Sequence, residues 1–277
     1  MNDVLLSVRN VSKNFGELNV LDGVSVTIHK GEIIGLVGSN GAGKTTLLRL
    51  LAGVYTPTIG EIQFENGISL GQARERIGVV PEATGLYARL TAWENIRYHS
   101  RLYGVSDEFA WRRTIQLADP LGMTEALSRH TKGFSRGMRQ KTALLRALAH
   151  SPNLLLLDEP TAGLDITSAR TLRLLVRKLK DEGGSVIYST HQLAEAQQIC
   201  TRILIIHNGE IRADGTVEDI LELTNQPTLE EAYVELSKDD ARPRNESNEK
   251  SGAFSSWWSR LFTGSLPKQT IGGDESE

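Results

Sequence analysis

The chain has a single cysteine, Cys200, in 277 residues. That excludes an internal disulfide and a cysteine-rich zinc site, and it suits a reducing cytosol. Long hydrophobic runs are missing as well. No stretch approaches the ~18 consecutive apolar residues of a spanning helix, so the chain is not expected to cross a membrane by itself. The N-terminus, MNDVLLSVRNVSKNF, lacks the apolar centre of a signal peptide. There is no basic excess either. Formal net charge is −3, from 31 Lys and Arg against 34 Asp and Glu, so no nucleic acid is expected among the partners. No internal repeat is visible, and the chain should hold one copy of whatever site it builds. With 39% apolar and 23% charged residues, an ordinary globular protein of one large or two small domains is expected.

Periodicity then organises the chain. Leu5–Val8 and Val20–Ile28 read as short strands flanking a polar loop with Lys13, Asn14, Phe15 and Gly16. Val24, Val26 and Ile28 alternate with Ser25 and Thr27, as in a half-buried strand. Ile33–Val37 is a continuous apolar run, as expected of a strand covered on both faces. Thr45–Ala52 reads as a helix stopped at Gly53. From about Ala83 to Ser151 the pattern is mostly helical, with a capping box at Thr91–Glu94 and Leu144, Leu145 and Leu148 on one helix face. Strand-like runs return at Leu154–Leu157, Val186–Tyr188 and Ile203–Ile206, with a helix over Ser168–Lys180 between the first two. This alternation predicts an α/β fold with a mainly parallel sheet, into which the helical middle is inserted.

Three constellations carry chemistry. Gly38, Ser39, Asn40, Gly41, Ala42, Gly43, Lys44 and Thr45 match G-x-x-x-x-G-K-[ST] between an apolar strand and a helix, with Thr46 following. Glycines let such a loop wrap so that backbone N–H groups converge on phosphate oxygens. Lys44 would reach the β- and γ-phosphates, and Thr45 would offer its hydroxyl to Mg²⁺. The helix that follows points its positive end at the same anion. A chance match is expected in about 1 of 100 chains this long. The second constellation, LLLLDE at Leu154–Glu159, delivers two carboxylates at the end of a buried strand, where open α/β sheets bind ligands. Asp158 would hold Mg²⁺ and Glu159 would act as general base toward water. Alone this run is a weak signal, because apolar strands often end in acidic residues. The third is His191, which follows strand-like Val186–Thr190 and could reach a γ-phosphate. The other histidines, His29, His99, His130, His150 and His207, read as capping or surface residues.

Together with Phe134–Gln140 (FSRGMRQ) and Thr161–Asp165 (TAGLD), these motifs resemble an ATP-binding-cassette ATPase from about Val4 to Leu236. The resemblance implies a P-loop NTPase core, an N-terminal antiparallel β subdomain and a helical subdomain inserted at about 83–151, all within residues 1–236. Phe134–Gln140 stands where the family has a Leu-Ser-Gly-Gly-Gln signature. It departs at Phe134, Arg136 and Met138 but keeps Ser135 and Gly137. Physically, Ser135 can cap a helix whose amides face an anion. The resemblance makes that anion the γ-phosphate on a second subunit, so a head-to-tail dimer with ATP between subunits is implied. Ala162–Asp165 would communicate between the two sites. Phe15, where the family has an aromatic, would stack on adenine.

The stretch VVPEATGLY at Val79–Tyr87 places Glu82 where the family usually carries a glutamine, at the hinge into the helical insertion. That position implies contact with Mg²⁺ and signalling to a membrane partner. Glu82, GLYARLTAWENIRYHSRLYG and GMRQK are similar to bacterial exporter ATPases, of sodium-extruding and drug-exporting kinds, that pair with a separate polytopic permease. The expected location is therefore the cytoplasmic face of the membrane. Residues 237–277 read as a polar linker followed by an amphipathic segment. In it Phe254, Trp257, Trp258, Leu261 and Phe262 share one helical face suited to a membrane, the permease or the chain's own domain. Rival readings are an ATPase of this type acting on ribosomes or DNA, a GTP switch, which lacks an Asn-Lys-x-Asp motif here, and a non-enzymatic module, which Glu159 and His191 disfavour.

Overall fold

The computed structural model describes residues 4–238, so the C-terminal amphipathic segment lies outside the described residues. The chain opens with β1 (Val4–Phe15) and β2 (Leu18–His29), an antiparallel pair, followed by β3 (Ile33–Val37) and α1 (Lys44–Leu51). Next come β4 (Ile59–Phe64), β5 (Ile68–Ser69), α2 (Leu70–Ala73) and β6 (Ile77–Val80). The helical middle holds α3 (Ala92–Leu102), α4 (Asp107–Ala118) and α5 (Arg136–Leu148). Then follow β7 (Leu154–Asp158), α6 (Ile166–Asp181), β8 (Ser185–Thr190) and α7 (Leu193–Ile199). The described chain closes with β9 (Arg202–His207), β10 (Glu210–Gly215), α8 (Val217–Thr224) and α9 (Leu229–Leu236).

Two sheets form. One is antiparallel, ordered β2-β1-β4-β5; the other is ordered β10-β9-β3-β8-β7-β6 and is parallel except for β10. Every residue of β3, β7 and β8 is buried, as a strand covered on both faces requires. The pleat divides β7. Leu154 and Leu156 join Ile34, Leu36 and the apolar face of α1 against the antiparallel sheet. Leu155 and Leu157 face the core shared with α3, α5 and α6. The helix α1 is thus enclosed between the two sheets, and the helical middle packs on the opposite face.

The first thirty residues differ from the expected short strands. Each of the first two strands runs twelve residues, and Lys13, Asn14 and Phe15 belong to β1 rather than to a loop. The pairing continues through Phe15↔Leu18, with register shifts at Val8/Val11, Val11/Lys13 and Lys13/Asn14. Such bulges keep a ladder hydrogen-bonded while breaking the alternation from which a strand is read. The Thr91 capping box is as expected, whereas α1 and α6 start at Lys44 and Ile166, slightly before the expected Thr45 and Ser168. Thr91 N–H donates to Glu94 Oε2 at 2.7 Å, Glu94 N–H donates to Thr91 Oγ1 at 3.1 Å, and the buried Leu144, Leu145 and Leu148 share a face of α5.

Candidate nucleotide-binding site

The C-terminal ends of β3, β7 and β8 converge because these strands are neighbours in register: Val37 lies opposite Thr190, and Asp158 opposite Ser189. The loop after β3 therefore meets Asp158, Glu159 and His191, although 30 to 150 residues separate them. Two glycines make the loop possible. A Cβ on Gly38 would collide with the Ile206 carbonyl oxygen. Gly43, the residue before α1, has φ 110°, and a Cβ there would meet Leu21 Cδ2 at 2.7 Å.

An open cavity of about 430 Å³ is lined by Asn40, Gly41, Gly43, Lys44, Thr45, Thr46, Glu82, Glu159 and His191, with Val20 and Ala162. Lys44 is buried, and its ammonium donates to the carbonyls of Gly38 (2.8 Å) and Ser39 (3.1 Å). It also stands 3.5 Å from Glu159 Oε1, an ion-pair distance. Glu159 Oε1 is buried and accepts no hydrogen bond. Its other oxygen, Oε2, accepts from His191 Nδ1 at 2.9 Å. Lys44, Glu159 and His191 thus form a continuous line along the cavity, with His191 half exposed at its mouth.

Glu159 is held in an unusual backbone conformation, φ 47°, which a non-glycine residue keeps only where its surroundings impose it. Its N–H donates to Ser189 Oγ at 3.0 Å, and Ser189 Oγ donates to Asp158 Oδ1 at 2.8 Å. One serine hydroxyl therefore fixes both carboxylate residues. Ser189 was not among the expected site residues. Its signal in the sequence is its position, two residues before His191 on a buried strand, and its role depends on the pairing of β7 with β8.

The remaining expected residues sit apart from this line. Gly38, Ser39 and Ala42 build the loop without lining the cavity, and Asp158 is buried beneath it. Phe15 packs edge-to-face on Tyr55, with ring centroids 5.3 Å apart, and the Lys13 ammonium lies 5.0 Å from its ring. Ser135 caps α5, accepting from Met138 N–H at 3.2 Å, and a Cβ on Gly137 would come within 3.2 Å of Ser168 Oγ. Neither Ser135 nor Gly137 lines the cavity of its own chain. Glu82 is exposed and lines both this cavity and a groove with Lys132, Arg136 and Arg139.

Among the described residues, no cluster of three or more His, Cys, Asp or Glu side chains is arranged to hold a metal. The donor set near the loop, a threonine hydroxyl and one buried carboxylate, fits a magnesium ion that takes its other ligands from phosphate and water. Charge points the same way: among the described residues lining the cavity, Lys44 is the one lysine or arginine, set against Glu82 and Glu159 plus an incoming polyphosphate.

A glycine-rich loop opening onto a helix at the carboxyl edge of a parallel sheet, with a lysine and a strand-end carboxylate pair, defines a P-loop nucleoside-triphosphate-binding protein. A family model described as "ABC transporter" matches residues 21–162. The chain is 42% identical over 219 residues to the ABC transporter ATP-binding protein NatA of Bacillus subtilis (strain 168), covering 78% of this chain and 88% of NatA. It is 35% identical over 219 residues to the linearmycin resistance ATP-binding protein LnrL of the same organism, covering 78% of this chain and 70% of that one. Among solved structures, an ATP-binding subunit of an ABC transporter superposes with a TM-score of 0.78 at 34% identity, covering 84% of this chain and 100% of that one. The ATP-binding cassette MJ0796, a dimer in a post-hydrolysis state bound to ADP and Pi, gives a TM-score of 0.70 at 27% identity, covering 76% of this chain and 98% of that one. The chain belongs to the ABC transporter family as an ATP-binding domain, a class that binds ATP and for which hydrolysis is implied.

Proposed function

We propose that this protein is the ATP-hydrolysing subunit of an ABC exporter, working at the cytoplasmic face of the membrane through a separate polytopic permease. The observation that carries the reading is the Lys44–Glu159–His191 line beside the phosphate loop. No helix among the described residues is long and apolar enough to cross a membrane, so the reading assigns the crossing to the permease. The exporter assignment rests on the sequence around Glu82 and on the similarity to NatA and to LnrL, the latter named for linearmycin resistance.

In this reading Lys44 exchanges its carbonyl partners for β- and γ-phosphate oxygens and offsets charge on the transferred group. Mg²⁺, when bound, would offset negative charge on the nucleotide's phosphates. Thr45 and Asp158 are the residues that would hold it. Glu159 Oε1, buried and accepting no hydrogen bond, takes a proton from the attacking water. His191 Nδ1–H stays on Glu159, so Nε2 can donate to a γ-phosphate oxygen only when the ring carries both protons. Phe15 stacks on adenine. Ser135 and Gly137 act on the nucleotide of a second copy, which makes the working unit a head-to-tail dimer. Residues 1–236 form the ATPase domain, with the insertion at 83–151 transmitting its movement to the permease.

The test is Glu159→Gln. ATP turnover is expected to fall by about 10²–10⁴-fold, the usual worth of a general base, with ATP binding retained. Turnover near that of the unaltered protein would overturn the assignment.

A further inference from the structure

Glu195 lies in the first turn of α7 and touches neither the phosphate loop nor the cavity, yet it is almost completely buried. A buried carboxylate is costly unless its lone pairs are satisfied. Here the donors come from three other parts of the chain. Glu195 Oε2 accepts from Thr161 Oγ1 at 2.8 Å and from Thr190 Oγ1 at 3.1 Å. Its Oε1 accepts from Tyr188 OH at 2.8 Å and stands 3.8 Å from Arg173 Nη1 on α6. Burial, then the Glu195 charge, holds the Tyr188 hydroxyl above its ordinary range, so it remains a donor.

The attachment points flank the reacting groups. Thr161 stands two residues beyond Glu159, in the turn closed by Ala162 N–H donating to the Glu159 carbonyl at 3.1 Å. Thr190 directly precedes His191, and its Oγ1 also accepts from Gln192 N–H at 3.0 Å, closing the backbone around the histidine. The His191 ring is half exposed, so its direction depends on that turn. Glu159 is backbone-strained, so its direction depends on what constrains its loop. One carboxylate ties both loops together.

We infer that Glu195 is a positioning residue for ATP hydrolysis, clamping the loop after Glu159 to the turn carrying His191 so that the two side chains keep their mutual geometry. The inference rests on the proposed role of Glu159 and His191. It assigns Glu195 no contact with nucleotide, so its loss should act on turnover and not on binding. The hydroxyl of Thr190 is the link adjacent to His191 in the chain, and its methyl group carries none of the effect.

The test uses the full chain, with ATP turnover corrected for the folded fraction. Glu195→Gln keeps the volume but places an amide N–H₂ among donors, and kcat is expected to fall about tenfold or more. KM for ATP should change by less than about twofold, since only the transition state is affected. Thr190→Val should lower kcat in the same way, whereas Thr190→Ser should retain it. In a His191→Ala background Glu195→Gln should cost much less, because the group it positions is gone. Equal fold losses in both backgrounds, or an unchanged kcat with only a lowered unfolding midpoint, would overturn the inference while leaving the site reading intact. Full turnover in His191→Ala alone would instead overturn the site reading, and the clamp with it.

Discussion

Glu82 follows buried Pro81 just beyond β6, and β6 pairs with β7 as far as Val80↔Leu157. The pairing therefore carries Glu82 to the same edge as Asp158 and Glu159, and its side chain lines their cavity. A carboxylate at this place attracts a metal ion but adds charge beside phosphates, and the two effects oppose. Glu159 differs in having one carboxylate oxygen buried, in its ion pair with Lys44 and in its hydrogen bond to His191, so the proposed base is Glu159 and the proposed coupling residue is Glu82. Glu82→Gln is expected to keep substantial basal ATPase activity while changing stimulation by the proposed permease. Loss of all basal hydrolysis with ATP binding intact would move Glu82 into the chemistry.

Among the elements, α5 packs on α3, α4 and β6. It begins at Ser135 and is anchored near its other end by Arg146, fully buried, whose guanidinium donates to the carbonyls of Thr84 (2.7 Å) and Gly85 (3.1 Å) just beyond Glu82. Burial pulls the Arg146 pKa down to about 10, still well above neutrality. Two histidines share this environment. Burial, with Arg146 and His150 nearby, lowers His99 to about 3. Burial lowers His150 to about 4, where its ring stacks on Tyr103 at 4.2 Å and its Nε2 meets the Ile77 carbonyl at 3.3 Å. Both were expected to be capping or surface residues, but both are buried, because His99 falls on the face of α3 that buries Ala92, Asn95 and Ile96, and His150 lies against the Tyr103 ring. Their folded pKa values lie below the unfolded value of about 6.5, so the unfolded chain binds more protons as pH falls. Stability is fully present above about pH 6.5 and declines toward pH 4, with a slope of up to about 1.4 kcal/mol per pH unit for each histidine. The ion-paired and capping carboxylates lose their contributions only near and below pH 4. Urea midpoints are therefore expected to be lower at pH 5 than at pH 7, and His150→Gln should flatten that difference. A midpoint independent of pH over this range would contradict the assignment.

At the scale of the whole molecule, what could be read in advance followed a simple division. Local signals were legible: the phosphate loop, the LLLLDE run, the Thr91 capping box and the buried strands Ile33–Val37 and Leu154–Leu157 all depend on neighbours within a few residues. The extended β1 was not, because bulges break its alternation around Lys13 and Asn14. The Glu159–His191 bond, the bridging Ser189 and the Glu195 clamp were not legible either. Each joins residues brought together by the β7–β8 pairing, whose register no local pattern encodes. The cavity gathers Lys44, Glu159 and His191, whereas Ser135 and Gly137 lie at the start of α5 outside it. If these last two act on ATP, they act on the ATP of a second copy. The most direct test is the solution mass of the Glu159→Gln protein, measured by light scattering with ATP and then with ADP. A species of twice the protomer mass with saturating ATP, reverting to the protomer with ADP, is the expected result. A protomer that binds ATP at saturation and remains single would contradict the account.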